Sequence, residues 1–192
     1  LTSLVIFAAN AAALYFVALR LLRLATGFAD GTLRLSAVVA TLFFAIHPLR
    51  AESVGWATER RDVLSGLFYL LTVLLYLKAQ DGGPRRRWML AGSVGMFALA
   101  LVSKASVMVL PAALVVLDIY PLRRLGGSRE GWIGPAARAV WLEKIPFAIL
   151  GLGGAIVTYY AQKVNLFITP LERYPLSARP AMVFYSLWFY LG

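Results

Sequence analysis

Seven apolar runs, separated by short polar or charged breaks, make up most of the chain. The first covers about residues 1–19 and ends at Arg20 and Arg23; a polar turn over 27–32 leads to the second, about 33–46. That run stops at His47-Pro48, because proline disfavours helix in the residue before it. A polar stretch, 47–62, precedes the third run (63–77), and a Gly-Gly-Pro-Arg-Arg-Arg loop precedes the fourth (88–102). The fifth (105–119) contains Pro111, the sixth (140–161) contains Pro146, and the seventh begins at Pro180. In the sixth, Gly151, Gly153 and Gly154 allow a neighbouring helix to approach closely. A bilayer core takes roughly 20 apolar residues, so this pattern predicts an all-α membrane protein, a multispan bundle of about six or seven transmembrane helices. The shorter runs are expected to extend into their flanks or to sit in locally thinned bilayer.

Composition agrees. The 192 residues are 60% hydrophobic and 15% charged, with a mean hydropathy of +0.74, whereas a soluble domain is nearer half apolar and a quarter charged. The net charge of +10 does not point to nucleic acid, because the basic residues fall in the gaps between apolar runs. Cysteine is absent, which excludes disulfides and thiolate metal sites. The chain opens at Leu1 without a signal-peptide pattern and closes at Gly192 inside an apolar run, as expected of an internal piece of a longer membrane protein. Alternating the runs across a bilayer puts twelve basic residues on one side, among them Arg20, Arg23, Lys78, Arg85–Arg87, Arg123, Arg124 and Lys144. Seven fall on the other, among them Arg60, Arg61 and Lys104. The richer side is expected in the cytoplasm, so the 47–62 stretch faces outward.

That stretch concentrates the candidate chemistry. It holds the only histidine, three of the nine acidic residues and three arginines. Read from Glu52 to Asp62 as a short surface helix, it places Glu52, Trp56 and Glu59 on one face, with Asp62 a turn beyond. Carboxylates without cysteine suit a hard divalent cation such as Mg²⁺ or Mn²⁺, and Arg60 and Arg61 suit phosphate oxygens. Together they fit chemistry on a lipid-linked phosphate. The alternative is a set of headgroup-level residues with Trp56 in an aromatic belt. Lys104, between two runs, is either a functional charge or a snorkelling one. His47 has a structural reading at a helix end, and Asp118 is expected to pair with Arg123 or Arg124. Tyr69, Tyr76 and the other run-end aromatics are expected to pack or to form a belt. No phosphate loop, nucleophile elbow or histidine zinc motif is present.

The run His47-Pro48-Leu49-Arg50-Ala51-Glu52-Ser53-Val54 with Arg61-Asp62-Val63-Leu64-Ser65 resembles the membrane portion of the transmembrane and TPR-repeat-containing O-mannosyltransferases and their bacterial TPR-bearing relatives. The resemblance extends through Leu101–Lys104, the stretch from Leu117 to Arg123, and Leu142–Pro146, about residues 33–161 in all. That family is similar in turn to the GT-C glycosyltransferases, multispan enzymes using polyprenyl-phosphate sugars. The resemblance implies that Asp62 lies near the metal or donor phosphate, with Lys104 on the donor phosphate and Glu52, Arg60, Arg61 and His47 in the same pocket. It also implies that residues 1–192 are part of one GT-C-like domain. The first span and the first extracytoplasmic loop, with a catalytic carboxylate, would precede Leu1, more of the domain would follow Gly192, and the piece alone would be inactive. Ala105 stands where eukaryotic members usually have an acid after the lysine.

The function expected is transfer of a sugar, such as mannose, from a polyprenyl-phosphate donor to a hydroxyl on a protein or lipid acceptor. The setting expected is the outer face of a bacterial inner membrane, in a multi-pass protein. Asp62 and Glu52 are the catalytic candidates; Arg60, Arg61, Lys104 and His47 bind substrate; Asp62 is the candidate metal ligand. The rival expectations are a channel or transporter, which would need charges near mid-membrane, and a non-catalytic anchor for soluble repeats.

Overall fold

The computed structural model describes residues 2–47, 60–126, 131–164 and 178–191. They are helical apart from short turns, and no strand occurs among them. The helices are α1 (Thr2–Ala25), α2 (Asp30–Ile46), α3 (Arg60–Ala79), α4 (Arg86–Ser103), α5 (Leu110–Ile119), α6 (Pro135–Val164) and α7 (Ala178–Leu191), with a 3₁₀ segment over Ala105–Val109. Three of these, α1, α3 and α6, are long and apolar enough to cross a membrane. The chain divides into two compact units, residues 1–155 and 156–192. The second holds the end of α6, where Tyr159 and Tyr160 meet edge to face, and α7, with Trp188 and Phe189 exposed.

Local chemistry sets the helix ends. Thr26 closes α1 by donating both its amide and its hydroxyl to the Leu22 carbonyl, each at 2.9 Å. Asp30 opens α2, where the positive end of the helix dipole favours a carboxylate. It accepts hydrogen bonds at 3.0 Å from Arg23 and Arg34, and the Arg23 guanidinium holds its carboxyl below the usual range. Gly82 and Gly83, at φ 79° and 83°, turn the chain between α3 and α4 in the left-handed region that glycine tolerates.

Two expectations need revision. The fifth apolar run is not one helix: its first five residues are 3₁₀, and Pro111 sits in the first turn of α5, where its missing N–H leaves no broken bond. At 2.0 Å per 3₁₀ residue and 1.5 Å per α residue the run still extends about 25 Å. Arg60, Arg61 and Asp62 do not end a surface helix but form the first turn of α3 itself. Residues 48–59 of that stretch, Glu52 included, lie outside the described residues.

In the first unit, α3 packs most extensively against α4 and also against α1, which in turn packs on α2. Val17, Val73, Leu77, Phe97, Leu110, Leu114 and Phe147 form the buried apolar cluster around Tyr76. Gly151 and Gly154 lie against neighbouring segments: an added Cβ would come within 3.1 Å of the Met108 carbonyl oxygen and of Leu101, respectively. Gly153 faces open space, so two of the three glycines serve packing. The outward faces are apolar, with Phe43 68% and Ile149 64% exposed, as a lipid solvent allows.

Within this shell lies a polar cluster. The Tyr76 hydroxyl, on α3, is 2.7 Å from Asp118 Oδ2 on α5, and Asp118 is fully buried. Lys144 of α6 pairs with Asp118, donates to the Tyr76 hydroxyl and stands 4.2 Å from its ring centroid. Arg124 donates to Asp118 at 3.0 Å and to both Glu143 oxygens at 2.8 and 2.9 Å, and Arg86 of α4 pairs with Glu143. The backbone helps, because the Asp118 carbonyl accepts from the Arg124 and Leu125 amides. Asp118 does pair with Arg124, as expected, whereas Tyr76 is a buried hydrogen-bonding hub rather than a belt residue.

Removing one partner from a buried charge pair strands the other. Asp118→Asn is therefore expected to destabilise the protein in detergent by about 3–5 kcal/mol, and Tyr76→Phe by about 1–3 kcal/mol. Thermal unfolding monitored by circular dichroism checks both. Unchanged melting for Asp118→Asn would contradict a structural role for the cluster.

Candidate functional site

Asp62 and Lys104, 42 positions apart in sequence, form an ion pair at the end of the helices away from the Tyr76 cluster. The positions of Asp62 and Tyr76 on α3 put these two ends about 21 Å apart at 1.5 Å per residue. Asp62 stands in the first turn of α3, where the helix dipole favours an anion. Lys104 is the extended residue (φ −155°) that caps the C-terminal end of α4, where a cation is favoured, and its amide donates to the Ala100 carbonyl. Each charge thus occupies the helix end that stabilises it. Ser65 secures the turn by donating from its hydroxyl to the Asp62 carbonyl at 3.0 Å.

The pair borders a cleft of about 350 Å³, at the lower end of the range for small-molecule sites. One wall comes from α1 and α2, through Phe7 and Phe44, whose rings stack 5.7 Å apart. The other comes from α3, through Val63, Gly66, Tyr69 and Leu70, with Lys104 and Ser106 completing the rim. Asn10 crosses between the walls. Buried in α1, it donates to the Val63 carbonyl at 2.8 Å and to its own helix at the Ile6 carbonyl. Gly66 leaves room for it, since an added Cβ would lie 3.1 Å from Asn10 Oδ1.

Of the six residues expected at a site, Asp62 and Lys104 meet on the cleft. Arg60 and Arg61 share the turn with Asp62 but are exposed and do not line the cleft. His47 caps α2, half-buried, with its ring edge to face against Phe43 at 5.5 Å; its neighbour Phe44 lines the cleft instead. Glu52 lies outside the described residues. Asn10 and Tyr69 were not expected here. Asn10 could have been noticed as the one amide inside the first apolar run, where an interhelical hydrogen bond is the usual use of such a residue.

The described residues do not assemble a divalent-cation site. No group of three His, Cys, Asp or Glu comes together among them, and Asp62, the only carboxylate that lines the cleft among the described residues, faces an ammonium. What the arrangement offers is a cation at the mouth of a half-apolar cleft. An ammonium has three N–H donors, so Lys104 can hold Asp62 and a ligand anion together. Asp62 holds the Lys104 ammonium at the cleft.

The chain is similar in part to several curated proteins. It is 33% identical over 94 residues to the protein O-mannosyl-transferase Tmtc3 of Drosophila melanogaster, covering 46% of this chain and 10% of that protein. It is 29% identical over 96 residues to the protein O-mannosyl-transferase TMTC4 of Mus musculus (47% and 13%). A shorter match to the protein O-mannosyl-transferase tmtc2 of Xenopus laevis has 49% identity over 41 residues (21% and 5%). The matched stretch thus spans about a tenth of the length of these relatives. No family model matches, and no solved structure matches. These partial similarities suggest the O-mannosyltransferase family and support a glycosyltransferase at that level, in a protein whose apolar helices suit a membrane.

A half-exposed pair at a helix end is worth little to stability. A double-mutant cycle on Asp62→Asn and Lys104→Met, read from thermal unfolding, is expected to give a coupling of about 0.5–1 kcal/mol. A coupling above about 3 kcal/mol would instead mark the pair as a structural element like the Asp118 cluster.

Proposed function

We propose that this chain is part of an integral-membrane glycosyltransferase that moves a sugar from a polyprenyl-phosphate donor to a hydroxyl acceptor. The single observation that carries the reading is the Asp62–Lys104 pair on the rim of a cleft with apolar walls. The similarity to named O-mannosyl-transferases supports mannose as the sugar. The fold belonging to this reading is GT-C-like, with six or seven spans, and the cleft end of the helices faces the extracytoplasmic side.

The chemistry follows from the charges. The acceptor oxygen attacks the anomeric carbon, the bond from that carbon to the phosphate oxygen breaks, and the polyprenyl phosphate leaves with the bonding electrons. Negative charge grows on the leaving phosphate, and Lys104 is placed to stabilise it; such preorganised charge supplies a large share of catalysis. Asp62 orients the ammonium. The acceptor proton passes to a carboxylate acting as general base, for which Glu52 is a candidate. Arg60 and Arg61, exposed in the same turn, approach the phosphate from outside the cleft. Phe7, Phe44 and Tyr69 exclude water from the sugar and leave room for the first isoprene units.

A transporter would need these charges near mid-membrane, whereas Asp62 and Lys104 stand at helix ends. The test is sugar transfer by the full-length protein in proteoliposomes, across a panel of polyprenyl-phosphate sugars, beside Asp62→Asn. Loss of one well-placed electrostatic group is expected to lower kcat by about 10²–10³-fold. Wild-type rates in a folded Asp62→Asn variant would remove Asp62 from the site.

A further inference from the structure

A second cavity, about 170 Å³, lies between α1 and α3 at the end opposite Asp62. Three cations line it, Arg20 and Arg23 from α1 and Lys78 from α3, against one anion, Asp81. Phe16 and Leu74 also line it, one helical turn before Arg20 and Lys78, respectively. A charged rung at the helix ends therefore sits directly beside an apolar rung nearer the helix middle.

The cations are not fully used by the protein. Arg20 pairs with Asp81 through Nη2, but its Nε is buried and has no hydrogen-bond partner among the described residues. Lys78 is exposed and enters no ion pair among the described residues. The C-terminal ends of α1 and α3 each contribute about half a negative charge here. Asp30 is shared by Arg23 and Arg34, so four cations stand against Asp30, Asp81 and those two helix ends, which leaves this end of the helices net positive.

We propose that this groove holds one anionic phospholipid, with its phosphate on Arg20, Arg23 and Lys78 and an acyl chain along Phe16 and Leu74. The two rungs match a headgroup phosphate placed directly above hydrocarbon, and Phe16, 54% exposed, opens the apolar side to the bilayer. A free phosphate would satisfy the cations alone and would leave the apolar rung without a role. The proposal does not depend on the transfer activity.

The test is native mass spectrometry of the full-length protein released from nanodiscs of equal parts phosphatidylglycerol and phosphatidylcholine. Wild type is expected to retain phosphatidylglycerol preferentially. Lys78→Gln should reduce that preference about fivefold, the effect of one cation at a membrane surface, and Lys78→Arg should keep it. Lys78 is exposed, so its replacement leaves the fold intact, and melting temperature verifies this. Arg85→Gln/Arg87→Gln removes two exposed cations from the same end without touching the groove. If that variant abolishes the preference while Lys78→Gln retains it, the attraction is a diffuse basic surface and the proposal fails. It fails equally if glycerol 3-phosphate displaces the lipid at matched concentration, because the ligand is then a free phosphate.

Discussion

The fully buried carboxylate of Asp118 is the constraint on which the first unit rests. An ionised carboxylate inside a bundle whose outer surface suits lipid is tolerable only when its oxygens are saturated. Here the saturation comes from three segments at once: Tyr76 on α3, Lys144 on α6 and Arg124 just after α5. Glu143 then draws in Arg86 from α4. Apolar packing can slide, because lipid tails are as apolar as the helix faces they would replace. A saturated charge cluster cannot, since each partner that moves away leaves a buried ion behind. The cluster therefore supplies register more than net stability.

That register is transmitted along α3. With Tyr76 held at one end, the first turn of the same helix is fixed against α1 by Asn10 and against the end of α4 by the Asp62–Lys104 pair. Ion pairs among the described residues of the first unit thus collect at the two ends of the helices, with the apolar cluster of Val17, Val73, Phe97 and Leu114 between them. The two ends are built differently. Around Asp118 the groups are deeply buried and saturate one another, as suits a scaffold. Around Lys104 the charges border an open cleft and are partly exposed, as suits a group that must meet a ligand.

Much of this was legible in the sequence because the signals were strong and periodic. Long apolar runs gave the helices to within about six residues, the fifth run excepted, and sorting the loops onto two sides grouped Asp62 with Lys104 and separated them from Arg86, Arg124 and Lys144. What stayed hidden depended on which face of a helix a residue takes in three dimensions. Tyr76 reads like any run-end tyrosine, and nothing local shows that Asp118 and Lys144 converge on it. The 3₁₀ opening of the fifth run was also obscure, because hydropathy does not separate helix types. Arg60 and Arg61 show the limit of adjacency: next to Asp62 in sequence, they are carried around the helix by about 100° per residue and do not line the cleft. Asn10 was overlooked because one amide barely changes the hydropathy of its run.

The central claim is that Lys104 receives the phosphate of a polyprenyl-phosphate donor in the cleft it shares with Asp62. The most direct measurement is the affinity of a polyprenyl-phosphate sugar for the full-length protein in detergent, by isothermal titration calorimetry, for wild type and Lys104→Met. Removing a charge-assisted contact worth about 1.5–3 kcal/mol predicts binding weakened by about 10–150-fold, with the fold unchanged. Equal affinity in the two proteins, or no binding by a folded wild type, would contradict the account and favour a membrane anchor without catalytic chemistry.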